Sequence, residues 1–164
     1  MTTNKNMITK LAKLSFSALL GFGVMVSAQA APTPTNPTNP TIIQSKPIFF
    51  GDGGEYPFSS AVRVGNTLYM SGQIGFKDGK LIKGGIKAET KQALDNINGV
   101  LLQYGYQKSD LVKCMAMLTD MDDFGDFNEV YKTELNKPYP VRSAFGVASL
   151  AANASVEIEC IAAK

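Results

Sequence analysis

The stretch YPVRSAFGV, residues 139–147, enters through a proline and then sets β-branched and aromatic residues around one arginine, Arg142. Proline fixes φ and lacks a backbone donor, so it belongs at the start of a strand and not in its middle. Val141, Phe145 and Val147 supply the strand character. An arginine in such a strand needs a partner, because a buried unpaired charge is very costly. One reading gives it Glu157 or Glu159 as an ion-pair partner, or a buried stem with the head in water. The other makes it a carboxylate-binding fork, since guanidinium geometry matches a carboxylate at two points.

Working outward, Pro138 and Pro140 close a helix that Asp122 and Asp123 open as N-cap and first-turn acids, with Phe124, Phe127 and Tyr131 on its inner face. Upstream, LVKCMAML at residues 111–118 reads as a buried strand in which Met115 and Met117 are core filler. Residues 88–104 form the strongest predicted helix. Leu94, Ile97, Leu101 and Tyr104 recur at spacings of three, four and three, and Gly105 follows as a cap. Downstream, residues 155–162 alternate strictly: Val156, Ile158 and Cys160 take one face, and Glu157, Glu159 and Ile161 the other.

Near the start of the domain, Ile48, Phe49 and Phe50 precede a glycine-rich turn, and two short strands flank Gly65-Asn66, a hairpin signal. Asp78-Gly79 marks a second turn. Ser71-Gly72-Gln73 stands where a strand ends; the glycine permits close backbone approach and the serine has a hydroxyl to donate. The predicted order is β-β-(β)-α-β-α-β-β, an α+β arrangement.

The first thirty residues stand apart. Lys5, Lys10 and Lys13 precede an apolar run ending at Val26, and Ala28-Gln29-Ala30 has the small residues of a cleavage site. This is the order of a secretory signal peptide cleaved after Ala30. The run is about a dozen residues, short of the roughly 20 needed to span a bilayer, so no membrane insertion is expected after cleavage. Residues 31–41, rich in Pro, Thr and Asn, read as an extended tether, and residues 42–164 as one domain. The leader takes three of the 16 basic residues and none of the 14 acidic ones, leaving 13 against 14 and a net charge of −1. Nucleic-acid binding therefore has little support. The expected location is periplasmic or secreted.

There is no histidine, which removes serine-histidine and cysteine-histidine catalysis, histidine metal sites and a histidine base. Cys114 and Cys160 lie in apolar strand-like runs and read first as small buried hydrophobes, though neighbouring strands could bring them within bonding distance. Asp120, Asp122, Asp123 and Asp126 lack the ligand spacing of a calcium loop and read as capping and solvated residues.

Together these pieces resemble the Rid (YjgF-type) reactive-intermediate deaminases. The motifs are Pro57-Phe58-Ser59, Tyr69-Met70-Ser71-Gly72-Gln73-Ile74, Ala93-Leu94-Asp95-Asn96-Ile97, Leu118-Thr119-Asp120, Asn128-Glu129-Val130-Tyr131, Pro140-Val141-Arg142-Ser143 and Val156-Glu157-Ile158-Glu159-Cys160. The resemblance implies a chorismate-mutase-like mixed β-sheet with two helices on one face, assembled as a homotrimer with intersubunit clefts. It implies hydrolysis of 2-imino acids or their enamines to 2-oxo acids and ammonia, without cofactor or metal. Arg142 would hold the substrate carboxylate and Glu157 would activate water; Ser71, Gly72 and Asn128 match pocket positions, with Phe58 reaching in from the adjoining subunit. Phe58 stands where many members carry tyrosine, Ser60 where glutamine is frequent, and Ala144 where cysteine is frequent. The alternative is a non-catalytic trimer that binds small carboxylates or acts as a chaperone.

Overall fold

The computed structural model describes residues 45–51 and 56–164. The expected leader at 1–30 and tether at 31–41 lie outside them. Gly65-Asn66 joins β2 (Ala61–Val64) to β3 (Thr67–Met70) in an antiparallel hairpin, Gly65 taking φ 59°. The strand β1 (Ile48–Phe50) lies antiparallel to β2, and its Phe50 ring stacks on Tyr104 at 4.2 Å. Three two-residue strands follow: β4 (Gln73–Ile74), β5 (Phe76–Lys77) and β6 (Lys80–Leu81). Asp78 and Gly79 join the last two with φ 50° and 73°, the left-handed pair that a tight hairpin turn requires.

The helix α1 (Gly85–Gln103) begins three residues before the expected start. Its buried face carries Ile86, Glu89, Thr90, Ala93, Leu94, Ile97 and Leu101. Gly105 ends it at φ 80°, and the Tyr106 N–H donates to the Leu101 carbonyl at 2.8 Å, closing a left-handed glycine cap. After β7 (Leu111–Leu118) the chain makes a 3-10 turn and then α2 (Phe124–Glu134). That turn moves the cap upstream: Asp120, and not Asp122 or Asp123, accepts a hydrogen bond, from the Asp122 N–H at 2.8 Å. The strands β8 (Val141–Gly146) and β9 (Val156–Ala163) complete the chain.

The sheet order is β1-β2-β3-β9-β7-β8, with β4 also paired to β9. Among the described residues only β7 and β8 run parallel, joined across by α2, so the sheet is mixed and the fold is α+β as expected. On β9, Val156, Ile158, Cys160 and Ala162 are buried in the core with α1 and α2, while Glu157, Glu159 and Ile161 are half-buried on the opposite face. That opposite face is open and largely apolar. Phe49, Tyr69, Val141 and Phe145 are exposed there, and Met115 and Met117 are half-buried, so the two methionines are not core filler.

Cys114 and Cys160 are joined by a disulfide. The reading as separate buried hydrophobes fails because antiparallel pairing of β7 with β9 sets the two residues directly opposite, with Cα atoms 4.1 Å apart. The bond closes a chain separation of 46 residues. Replacing both cysteines with alanine is expected to lower the unfolding free energy by about 3–4 kcal/mol, read as a lower guanidinium midpoint. An unchanged midpoint would contradict this.

Candidate active site

Arg142 sits on β8, the edge strand, in register with Cys114 of β7. That register turns its side chain to the helix-covered face. There the guanidinium lies over three rings of α2: Phe124 at 5.6 Å, Phe127 at 5.2 Å and Tyr131 at 4.7 Å. The spacing of these aromatics, three and four residues apart, stacks them along one side of α2. Their faces carry negative quadrupole density and hold the cation without a hydrogen bond. Among the described residues Arg142 makes no ion pair. The expected pairing with Glu157 or Glu159 is therefore not made within the chain, and the guanidinium N–H donors stay available. A cavity of about 240 Å³ opens here, lined by Asn128, Tyr131, Lys132, Tyr139, Pro140 and Arg142.

Tyr131 is buried, and among the described residues its hydroxyl has no hydrogen-bond partner. Burial pushes its pKa up to about 12, against a weaker opposing pull from the Arg142 charge. The phenol stays neutral beside the guanidinium through the physiological range.

Glu157 belongs to a second cavity of about 480 Å³, where it is joined by Tyr56, Phe58, Gly72, Ile74, Phe76 and the Ala151-Ala152 pair. The walls are largely apolar, Gln73 being the other polar member, and among the described residues Glu157 is the one carboxylate in the lining. Tyr56 and Phe58 stack with ring centroids 5.8 Å apart. Glycine at position 72 leaves room for the Glu157 carboxylate: a Cβ there would stand 2.9 Å from its Cδ and displace it from its present position. The Ser71 hydroxyl is already committed, donating to the Ser59 carbonyl at 2.6 Å. Its observed role is to fix the backbone beside Phe58.

The six expected site residues thus fall into two groups. Arg142 and Asn128 share the smaller cavity, and Phe58, Gly72 and Glu157 share the larger one, with Ser71 bracing its edge. Phe58 lines the same cavity as Glu157 of its own chain. Glu157 pairs with Met117 across β9 and β7, three positions along β7 from the Cys114–Arg142 register. An odd number of steps along a strand puts the two side chains on opposite faces of the sheet. Sequence reasoning missed Tyr131 as a neighbour of the arginine, and Ile74, Phe76 and Ala152 as cavity walls.

Residues 54–164 match the family model described as endoribonuclease L-PSP. The 2-iminobutanoate/2-iminopropanoate deaminase of Mus musculus is 44% identical over 108 residues, covering 65% of this chain and 80% of the mouse protein. The human protein of the same name is 41% identical, covering 65% of this chain and 79% of its own. Among solved structures, RidA from the Antarctic bacterium Psychrobacter sp. PAMC 21119 is 41% identical with a TM-score of 0.65, covering 67% of this chain and 90% of that one.

Tyr131→Phe is expected to leave neutral-pH stability unchanged or raised, because a buried hydroxyl without a partner costs about 1–3 kcal/mol. A phenol whose pKa rises on folding contributes stability below the unfolded value of 10.0 and loses it as pH climbs towards about 12. Thermal unfolding of the variant should therefore fall less steeply than wild type across that alkaline window. Parallel curves would refute the assignment.

Proposed function

The chain belongs to the endoribonuclease L-PSP family, the Rid proteins, and from that premise we propose that it is a hydrolytic deaminase of small 2-imino acids. The observation that carries the reading is a pair of half-sites with complementary chemistry. One presents a guanidinium without an ion pair, beside Asn128; the other presents Glu157 in an apolar cavity. The deaminase names of the mouse and human relatives support the same reaction.

The proposed chemistry follows from the substrate. A 2-imino acid carries a carboxylate next to an electrophilic C=N carbon. Arg142 takes the carboxylate at two points, which fixes the neighbouring carbon. Glu157 accepts a proton as water adds to that carbon and passes it to the nitrogen, giving a carbinolamine, and then takes the new hydroxyl proton and passes it to the amino group. The C–N bond breaks, ammonia leaves and a 2-oxo acid remains. Imine hydrolysis is intrinsically easy, so orientation with one proton-transfer group supplies most of the acceleration. Gly72 lets backbone run close to Glu157, and the apolar walls exclude bulk water. A ribonuclease reading, which the family description raises, fits poorly with a mature charge of −1.

Two half-sites on opposite faces meet only if a second copy brings its Glu157 cavity to the Arg142 edge. The open apolar sheet face supports such an assembly, in the trimer that the resemblance implies. Export with cleavage after Ala30 is proposed on the charge, apolar run and small residues of the leader. A disulfide is consistent with it, because such bonds persist in oxidising compartments.

The decisive assay follows semicarbazide trapping of imines released by an amino-acid oxidase. The mature protein should lower semicarbazone formation, and Arg142→Ala and Glu157→Gln should each lose on the order of a hundredfold in kcat/KM. Co-expressing the two variants should restore about a quarter of the sites in mixed assemblies, since each cleft draws one residue from each neighbour. No acceleration by wild type would refute the deaminase, and no restoration would refute the shared cleft. Export is tested by intact mass: the protein recovered from the periplasm or medium should begin at Ala31, and a retained leader would refute cleavage.

A further inference from the structure

Glu89 is a carboxylate in the wrong place for a core helix. It lies on the buried stripe of α1 with Ile86, Ala93 and Ile97, only 4% exposed, and makes no ion pair among the described residues. A buried carboxylate must be hydrogen-bonded to be tolerated. Both acceptors are used on one residue: the Ser155 N–H donates to Oε2 at 2.6 Å, and the Ser155 hydroxyl donates to Oε1 at 3.0 Å. The Ser155 carbonyl in turn accepts from the Thr119 N–H at 3.1 Å.

Ser155 sits between two walls of the Glu157 cavity. Two residues after it comes Glu157 itself. Just before it, Ala152 and Asn153 take left-handed backbone at φ 55° and 57°, which residues with a Cβ adopt only when their surroundings hold them. The stem of Glu89 also packs on the third wall. A Cβ on Gly75 would lie 2.8 Å from the Glu89 Cα and 2.9 Å from its Cβ, and Gly75 separates the wall residues Ile74 and Phe76. Two helical turns further on, the Asn96 side-chain amide donates to the carbonyls of Ile74 at 3.1 Å and Phe76 at 2.9 Å. One face of α1 therefore ties down the chain on both sides of the cavity.

We propose that Glu89 is a positioning residue: its carboxylate anchors Ser155 to α1 and thereby sets Glu157 and the Ala151-Ala152 wall in their working geometry. The catalytic consequence rests on Glu157 being the proton-transfer group of the deaminase. Methionine in place of Glu89 keeps length and fills the space but accepts neither bond. Glutamine restores both, its oxygen accepting from the Ser155 N–H and its NH2 donating to the Ser155 hydroxyl oxygen.

The test compares wild type, Glu89→Met and Glu89→Gln in the full mature protein. Glu89→Met should lose roughly ten- to a hundredfold in kcat with KM changed less than about threefold, as expected when a catalytic group is misplaced and binding is kept. Glu89→Gln should stay within about threefold of wild type in both. In native-state hydrogen exchange, amides of residues 151–157 should exchange about tenfold faster in Glu89→Met than in wild type or Glu89→Gln, with those of β7 unchanged. Should Glu89→Met not fold, Ser155→Ala removes only the hydroxyl bond and should show the same pattern at about two- to fivefold. Unchanged kcat in Glu89→Met, or exchange that rises evenly over the whole fold, overturns the proposal. Absence of turnover by wild type overturns the deaminase, while the exchange contrast decides the anchor by itself.

Discussion

The strict two-residue alternation of β9, held between β3 and β4 on one side and β7 on the other, is the constraint from which the rest follows. Its buried set, Val156, Ile158, Cys160 and Ala162, is fixed by the core under α1 and α2. A slip of one residue would bury Glu157 and Glu159 and expose that set, so the register is strongly determined. With the register fixed, Cys160 must oppose Cys114, and Glu157 must project to the face away from the helices. The parallel pairing of β8 to β7 then places Arg142 on the helix side. The disulfide, the carboxylate and the arginine are three readouts of one alignment.

Opposite faces are a costly arrangement for the two groups of the proposed cleft, yet they solve an electrostatic problem. A guanidinium and a carboxylate within reach of each other in one chain would form an ion pair, and substrate would have to break it. Here Arg142 rests on three aromatic faces, which stabilise the cation while leaving its N–H edge uncommitted. Glu157 stands among largely apolar side chains, and among the described residues no lysine or arginine lines its cavity. Keeping each group from its natural partner leaves both uncommitted, which is what the proposed shared cleft requires of them.

Features set by local pattern are legible in the sequence. The β2–β3 hairpin follows from Gly65-Asn66, α1 from its apolar spacing and β9 from its alternation; each depends on residues within one element. Arg142 is conspicuous because a cation in an apolar strand is itself a signal. The direction it faces is not legible, because that depends on how β8 aligns with β7, and nothing in YPVRSAFGV encodes a register. The same reason hides the disulfide. The Asp120 cap escapes a sequence reading because a 3-10 turn intervenes before α2, and β4 to β6 escape it because two-residue strands leave no period to detect. Glu89 does carry a signal: it occupies an apolar-stripe position, and a carboxylate there has to be bonded to something.

In this histidine-free domain the proposed reacting groups are placed by packing and hydrogen bonds within the chain. Each is held by contacts of a different kind. Aromatic stacking on α2 holds Arg142, the missing side chain at Gly72 makes room for Glu157, and α1 grips the chain around Glu157 through Glu89 and Asn96. The helix α2 thus serves the arginine half of the site, and α1 serves the glutamate half. Because α1 and α2 pack on each other, and Lys87 of α1 meets Asp126 and Glu129 of α2 at 3.2 and 2.9 Å, the two halves share one helical layer. For the proposed reaction, whose barrier is lowered chiefly by orientation, side-chain placement in that layer is what the sequence has to specify, and the buried Glu89 contributes to it.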